Sequence, residues 1–335
     1  MKVCIVGAGA IGGYMAVRIA NAGHNVSVIA RGPHLAAIKA RGMKLIEEND
    51  EFVAENLTAT EFVGELGPMD VVLLALKAHQ IVPIVNDMSV LLGPNTVIVT
   101  LQNGIPWWYF QNFVGDYANR VVETVDPGGL LFKSIDPDRL IGCIAYPATT
   151  ISKPGVIQHI EGNRFPVGEL CGMKTERVQM VSDLFTESGF KSRILDDIRS
   201  EIWLKLWGNL TFNPISALSH STLVDICQFP LTRQLAATMM TEAQTVGERL
   251  GAHFRIPIEK RIAGAESVGK HKTSMLQDVE AGKPVEIESM LGAVIELAEV
   301  TGVQTPTLRA IYACVSLLDK TLSQEKILIK GISKE

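Results

Sequence analysis

Lys205, Asn209 and Asn213 recur every four residues in the stretch Trp203-Leu204-Lys205-Leu206-Trp207-Gly208-Asn209-Leu210-Thr211-Phe212-Asn213-Pro214. On an unbroken helix this spacing puts one amine and two amides on a single face, drifting by about 40° per step. The surrounding residues Ile202, Trp203, Leu204, Leu206, Trp207, Leu210 and Phe212 are apolar. Desolvation disfavours an ammonium ion, so a lysine in such a setting moves toward the range where it gives and takes protons. A second reading competes with this one. Glu201 lies four residues before Lys205, the spacing of an ordinary ion pair on a solvated helix face. Pro214 disfavours helical geometry at Asn213 and predicts a kink there. Farther on, Thr273-Ser274-Met275-Leu276-Gln277-Asp278 precedes Val285-Glu286-Ile287-Glu288. Behind Pro284, Glu286 reads as the start of a helix, where a carboxylate suits the dipole. Ser274 by itself carries no chemistry. The seven histidines show no H-x-x-x-H spacing, and the five cysteines form no metal or redox motif.

A second constellation stands at the other end of the chain. Gly7-Ala8-Gly9-Ala10-Ile11-Gly12 follows the apolar run Val3–Val6 and opens a helical pattern. This is a G-x-G-x-x-G: one glycine for the tight turn, one for close approach of pyrophosphate, one for helix–strand packing. It predicts a dinucleotide with its phosphates at the helix N-terminus. An NAD site expects Asp or Glu about 20 residues on. No acidic residue precedes Glu47, and the next strand ends in Val28-Ile29-Ala30-Arg31. A guanidinium there suits the 2′-phosphate of NADP, which it engages bidentately. Arg18, Lys39, Arg41 and Lys44 add positive charge nearby in sequence. Two later strands end in Leu76-Lys77-Ala78 and Leu101-Gln102-Asn103-Gly104. Ligands of open α/β sheets sit outside the carboxyl ends of strands, so Lys77 and Asn103 are placed to meet cofactor or substrate. A helix-start lysine and an Asn-Gly turn are the plainer alternatives.

The elements that must carry these residues are legible as alternation. Val3–Val6, Asn25–Ala30, Asp70–Leu76 and Thr96–Leu101 read as buried parallel strands. Ile11–Ala22, Pro33–Ala40 and Ala78–Leu91 read as the helices between them. From about Arg120 to Leu170, turn signals such as Asp126-Pro127-Gly128-Gly129 and Lys153-Pro154-Gly155 predict antiparallel additions to the sheet. Lys174–Ser188 reads as one more helix and Lys191–Leu195 as one more strand. Beyond Asp197 the pattern is helical: Ile198–Phe212, Thr232–Leu250, Ile258–Gly269, Val285–Thr301 and Thr307–Leu322. The fold class expected is α/β, an N-terminal Rossmann doubly wound sheet over residues 1–196 followed by an all-helical C-terminal domain over 197–335. No Gly/Pro-rich linker marks the boundary, so the site is expected between abutting domains.

With 335 residues, 47% hydrophobic and 20% charged, the chain has the composition of a globular protein. A net charge of -5 gives no basic field for nucleic acid. Runs such as Val71–Leu76 fall far short of the ~20 apolar residues that cross a bilayer, so no membrane partner is expected. The chain opens Met1-Lys2 straight into a strand, and with its scattered cysteines a cytoplasmic location without signal peptide is expected.

Taken together, Gly7–Gly12, Arg31, Lys77-Ala78, Asn103-Gly104, the Lys205/Asn209/Asn213 string, Ser274-Met275-Leu276-Gln277-Asp278 and Glu286 resemble the ketopantoate reductases (2-dehydropantoate 2-reductases) in order and spacing. The resemblance covers about residues 1–290. It implies NADPH as cofactor, a small 2-oxo acid as substrate and hydride transfer to the 2-oxo carbon, with pantoate for coenzyme A as the product. By carry-over, Lys205 is the general acid, and Asn209, Asn213 and Ser274 hold the substrate's hydroxyl and carboxylate. Asn103 helps place substrate or cofactor. Glu286 contacts the nicotinamide ribose and orients the lysine, and Lys77 lies near the cofactor. A homodimer stays open. One departure is the aromatic run Ile105-Pro106-Trp107-Trp108-Tyr109-Phe110, expected to reshape the pocket beyond Asn103. It motivates a rival reading, a paralogue reducing a bulkier oxo acid; a catalytically idle NADPH sensor is the third.

Overall fold

The computed structural model describes residues 1–77 and 80–325. The chain divides into two compact units: one holds Met1–Asn103, Trp107–Val121 and Gly128–Ile198, the other Gly104–Pro106, Val122–Pro127 and the chain from Arg199 onward. The first unit opens with β1 (Lys2–Val6), α1 (Ala10–Asn21), β2 (Asn25–Ile29) and α2 (Gly32–Arg41). Val3, Cys4, Ile5 and Val6 are fully buried, as a parallel strand covered on both faces must be. Next come β3 (Met43–Ile46), β4 (Glu51–Ala54), β5 (Thr58–Thr60), β6 (Met69–Leu74) and β7 (Leu92–Thr100). They are followed by the short α3 (Leu130–Ser134), β8 (Leu140–Cys143), β9 (Ala148–Lys153), β10 (Val156–Glu161), β11 (Val167–Glu169), α4 (Glu176–Glu187) and β12 (Ile194–Leu195).

Eight of these strands form one sheet in the order β12-β11-β8-β7-β6-β1-β2-β5. From β5 to β8 every pairing is parallel, and β11 is antiparallel to β8. The four remaining strands form a second sheet, β4-β3-β10-β9, in which β10 runs parallel to β3 and antiparallel to β9. The expectation of antiparallel additions to the one sheet holds for β11 and is corrected for the rest: β8 extends the sheet in parallel, and the Lys153-Pro154-Gly155 hairpin belongs to a separate sheet against which α1 packs. Pro127–Gly129 form a 3-10 turn. A helix at Ala78–Leu91 is corrected in part. Val82–Leu91 is 3-10 helix, with Pro83 near its start, while Ala78 and His79 lie outside the described residues.

The second unit is helical: α5 (Ile198–Ser219, whose first residue belongs to the other unit), α6 (Leu223–Gln228), α7 (Pro230–Arg249), α8 (Ile258–Glu266), α9 (Ser274–Glu280), α10 (Ala293–Thr301) and α11 (Pro306–Glu325). Helix α5 does not stop at Phe212; it runs through Pro214 for another turn and more. Proline removes one hydrogen bond but leaves the preceding residues helical when neighbours hold them. Trp203, Trp207, Leu206 and Leu210 on this helix are all buried, and each large side chain of this kind contributes roughly 1.5–3 kcal/mol of burial. No helix among the described residues is long and apolar enough to cross a membrane.

Candidate functional site

The glycine-rich turn joins β1 to α1. Gly7 has φ 105°, a conformation that a side chain rarely adopts, and a Cβ on Gly12 would stand 2.0 Å from the Gly7 carbonyl oxygen. Gly9 differs from both: nothing lies within 4 Å of where its Cβ would be. The helix it caps has no side-chain cap and no acidic residue in its first turn. Open space, uncapped N–H groups and the dipole form an anion site, so the turn fits a dinucleotide pyrophosphate. Its shape is held by the neighbouring strands, since Ala8 N–H donates to the Ile29 carbonyl at 2.9 Å and Ala75 N–H to Val6 at 3.0 Å.

Arg31 ends the β2 side of this rim and caps α2, exposed. Among the described residues its guanidinium has no hydrogen bond or ion pair to a protein group. The other nearby cations behave differently. Arg18 pairs with Glu47 and lies 4.2 Å over the Phe52 ring. Arg41 donates to the Pro154 carbonyl at 2.9 Å, and Lys44 pairs with Glu51 at 2.6 Å. A helix of this length also carries Arg41 about 15 Å from Arg31. One neighbour that pattern reading missed is His34, one turn beyond Arg31. Its Nδ1 accepts the Gly155 N–H at 3.1 Å. Burial lowers its pKa, and the Ala8 carbonyl pulls the other way. Lys77 and Asn103 stand just past β6 and β7, both partly buried. Gln102 steadies that edge by donating from Nε2 to the Leu74 carbonyl at 2.7 Å. The predicted residues of this unit thus gather at the carboxyl ends of β1, β2, β6 and β7.

In the helical unit, Lys205, Asn209 and Asn213 all lie on α5. Lys205 and Asn209 are partly buried, and Asn213 is buried. Asn213 Nδ2 donates to Ser274 Oγ at 3.5 Å and approaches Met290 Sδ at 3.9 Å. Ser274 is the first residue of α9, a helix absent from the sequence expectation, capped by Thr273 Oγ1 accepting from Leu276 N–H. Glu286 is not in a helix: Glu288–Gly292 form a π-helix that leads into α10, and Glu286 precedes it. Such π-turns are frequent at functional sites. The Ser289 carbonyl in this turn accepts the Ile105 N–H at 2.8 Å, and a Cβ on Gly104 would stand 2.1 Å from the same oxygen. Glu201, four residues before Lys205, is buried and pairs with Arg255. A further cation escaped the pattern reading. Arg261 on α8 lies directly over Gly208 of α5; a glycine inside a helix was its only trace in the sequence.

Trp107 and Trp108 are 1% and 2% exposed, which corrects their assignment to the pocket. Trp108 Nε1 donates to Thr100 Oγ1 at 3.0 Å, and its ring lies against Gly142. They pack the core of the first unit, as aromatic side chains of this size do.

These features define a Rossmann-type dinucleotide-binding unit joined in sequence to a helical unit that carries a lysine–amide stripe. Models of the family described as "Ketopantoate reductase PanE/ApbA" and "Ketopantoate reductase PanE/ApbA C terminal" match residues 3–171 and 197–319, and the chain belongs to the ketopantoate reductase family. It is 49% identical to a 2-dehydropantoate 2-reductase of Mesorhizobium japonicum, over 95% of this chain and 98% of that one. A provisionally named ketopantoate reductase of Ralstonia solanacearum superposes with a TM-score of 0.91 at 34% identity, covering 96% of this chain and 98% of the other. A D-mandelate dehydrogenase solved with NADH and anilino(oxo)acetate shares the fold, with a TM-score of 0.82 at 21% identity over 96% of this chain and 99% of that chain.

Proposed function

We propose that this chain reduces 2-dehydropantoate to pantoate with NADPH. The observation that carries the reading is the α5 stripe, in which Lys205 and Asn209 share a helix with an Asn213 that is bonded to Ser274. Near-complete coverage by a 2-dehydropantoate 2-reductase at 49% identity supports it. The glycine turn holds the pyrophosphate through the N–H groups of Gly9, Ala10, Ile11 and Gly12. Arg31 takes the 2′-phosphate, and Lys77 and Asn103 meet the cofactor from neighbouring strand ends.

When bound there, the cofactor would supply the hydride for the 2-oxo carbon. The electron pair of the C=O bond moves onto oxygen, and Lys205 gives that oxygen a proton from Nζ, so that an alcohol and a neutral amine result. Asn209, Asn213 and Ser274 orient the substrate by hydrogen bonds, and Glu286 orients Lys205 and the ribose. With Trp107 and Trp108 in the core, the motive for a bulkier oxo acid falls away.

The test is Lys205→Ala assayed by NADPH oxidation with 2-dehydropantoate. The expected result is a kcat lower by about 10²–10⁴ with NADPH binding nearly unchanged. Near wild-type turnover would remove the lysine from the mechanism. Lys205→Arg should rescue only in part, because a guanidinium releases its proton far less readily.

A further inference from the structure

The second sheet packs one face on α1. Met43, Leu45 and Ile157 are fully buried, and a Cβ on Gly13 of α1 would meet the side chains of Met43 and Ile157. Side chains alternate along a strand, so Lys44 and Val156 point to the opposite face. The register carries that face across all four strands. Val53 of β4 stands beside Lys44 of β3, Lys44 beside Val156 of β10, and Val156 beside Lys153 of β9. Two lysines thus flank one valine, roughly 10 Å apart at two strand spacings. Arg41, at the end of α2, closes the row, and these residues line a cavity of about 310 Å³ walled by Gly42 and Gly155.

The charge of this cavity is not balanced by the protein. Lys44 pairs with Glu51 at 2.6 Å. Arg41 donates to the Pro154 carbonyl at 2.9 Å and Lys153 is exposed; among the described residues neither has a carboxylate partner. Three cations against one carboxylate leave two positive charges around an apolar floor of Val53 and Val156. Lysine stems lie along apolar surface while the ammonium turns outward, so Lys44 and Lys153 can converge on a group held over Val156. A guanidinium takes two oxygens of one group at once. A phosphorylated hydroxyl carries about −1.5 to −2 charges at pH 7 and three acceptor oxygens, which matches both the charge and the number of donors. A carboxylate matches neither. We propose that this cavity binds a phosphate monoester with a small apolar body, alongside the cofactor rather than in its place. Arg41 lies about 15 Å along α2 from Arg31, away from the glycine turn. The volume is at the lower end of the roughly 300–1,000 Å³ of small-molecule sites, which keeps the body small.

The experiment titrates the whole chain, saturated with NADPH, with phenyl phosphate, inorganic phosphate and phenol in a calorimeter. Saturation keeps the probes out of the glycine turn and off Arg31. Phenyl phosphate should bind at least tenfold tighter than inorganic phosphate, because only its ring covers the valines, and phenol should give no measurable binding. Arg41→Gln and Lys153→Gln should each weaken phenyl phosphate roughly 10- to 100-fold, the range of a lost charged hydrogen bond. Val53→Glu should abolish binding, since it sets a carboxylate into the floor at a position 44% exposed, where folding tolerates it. NADPH affinity and turnover in Lys153→Gln and Val53→Glu should stay at the wild-type level. No binding of phenyl phosphate overturns the proposal. Binding that all three substitutions leave intact overturns it too, and a lowered thermal midpoint in Arg41→Gln would then make Arg41 a clamp on the Pro154 carbonyl. Equal affinity for phenyl phosphate and inorganic phosphate has the same force, because surface charge would account for it. Binding seen only without NADPH assigns the probe to the cofactor site and also overturns the proposal.

Discussion

Replacing Gly9 by alanine separates the folding role of the glycine turn from its binding role. Gly9 has φ -71° and ψ -162°, a conformation open to alanine, and a Cβ there meets nothing within 4 Å. Stability should therefore change by no more than about 0.5 kcal/mol, a thermal shift of roughly 2 °C or less. The same methyl group points into the space where phosphate oxygens must come within about 2.7–3.2 Å of the helix N–H groups. Pushing the phosphates back weakens one or two charged hydrogen bonds, each contributing about 1.5–3 kcal/mol, so NADPH affinity should fall at least tenfold. Gly12→Ala is the contrast. Its Cβ would stand 2.0 Å from the Gly7 oxygen, where real contacts do not fall under 3.0 Å, so strand and helix must part by about 1 Å or more. Overpacking of this kind costs about 1–3 kcal/mol, so stability and affinity should fall together. Fluorescence titration with NADPH and thermal unfolding read both quantities. Wild-type affinity in Gly9→Ala would refute the reasoning, because the open space would then not be where the pyrophosphate goes.

Arg31→Ala should weaken NADPH by about 1.5–3 kcal/mol and NADH hardly at all; equal losses in calorimetric titrations would rule out a 2′-phosphate contact. Trp108→Phe removes the hydrogen bond to Thr100 Oγ1, should lower stability by about 1–3 kcal/mol and should leave the ranking of 2-oxo acids intact. A changed ranking at unchanged stability would return Trp108 to the pocket. Burial holds the His34 pKa below its ordinary 6.5, so the unfolded chain takes up that proton first. The stability His34 contributes is whole above 6.5 and is lost as pH falls from there toward the folded value. His34→Gln should therefore flatten the fall of thermal midpoint between pH 7 and 5, and an unaltered slope would contradict the assignment.

The parallel strands were legible because each is short, apolar and bounded by turn residues; Val3–Val6 and Val71–Leu74 are buried to the last residue. The second sheet was not. Its strands alternate weakly, with exposed Glu51, Val53 and Ile151, and the partner of β3 lies more than 100 residues away in β10. Glu286 was misread as a helix residue because Pro284 imitates a helix start, whereas backbone pairing begins only at Glu288. Trp107 and Trp108 were misread because an aromatic run next to a site residue carries no sign of which way it faces.

The sequence alone determined the local chemistry: a turn that only glycine can make at Gly7, a strand ending in Arg31 with no acid before Glu47, and a lysine and two asparagines at helical spacing. These follow from backbone sterics and from helical periodicity, which act over a few residues. Tertiary structure decided which charges stay available and which groups meet. Arg18 pairs with Glu47 and Glu201 with Arg255, and Ser274 reaches Asn213 across 61 residues of chain. The ion pairs and the Asn213–Ser274 bond depend on how helices and sheets pack in space, and burial and electrostatic partners are properties of that packing, carried by no single stretch of sequence.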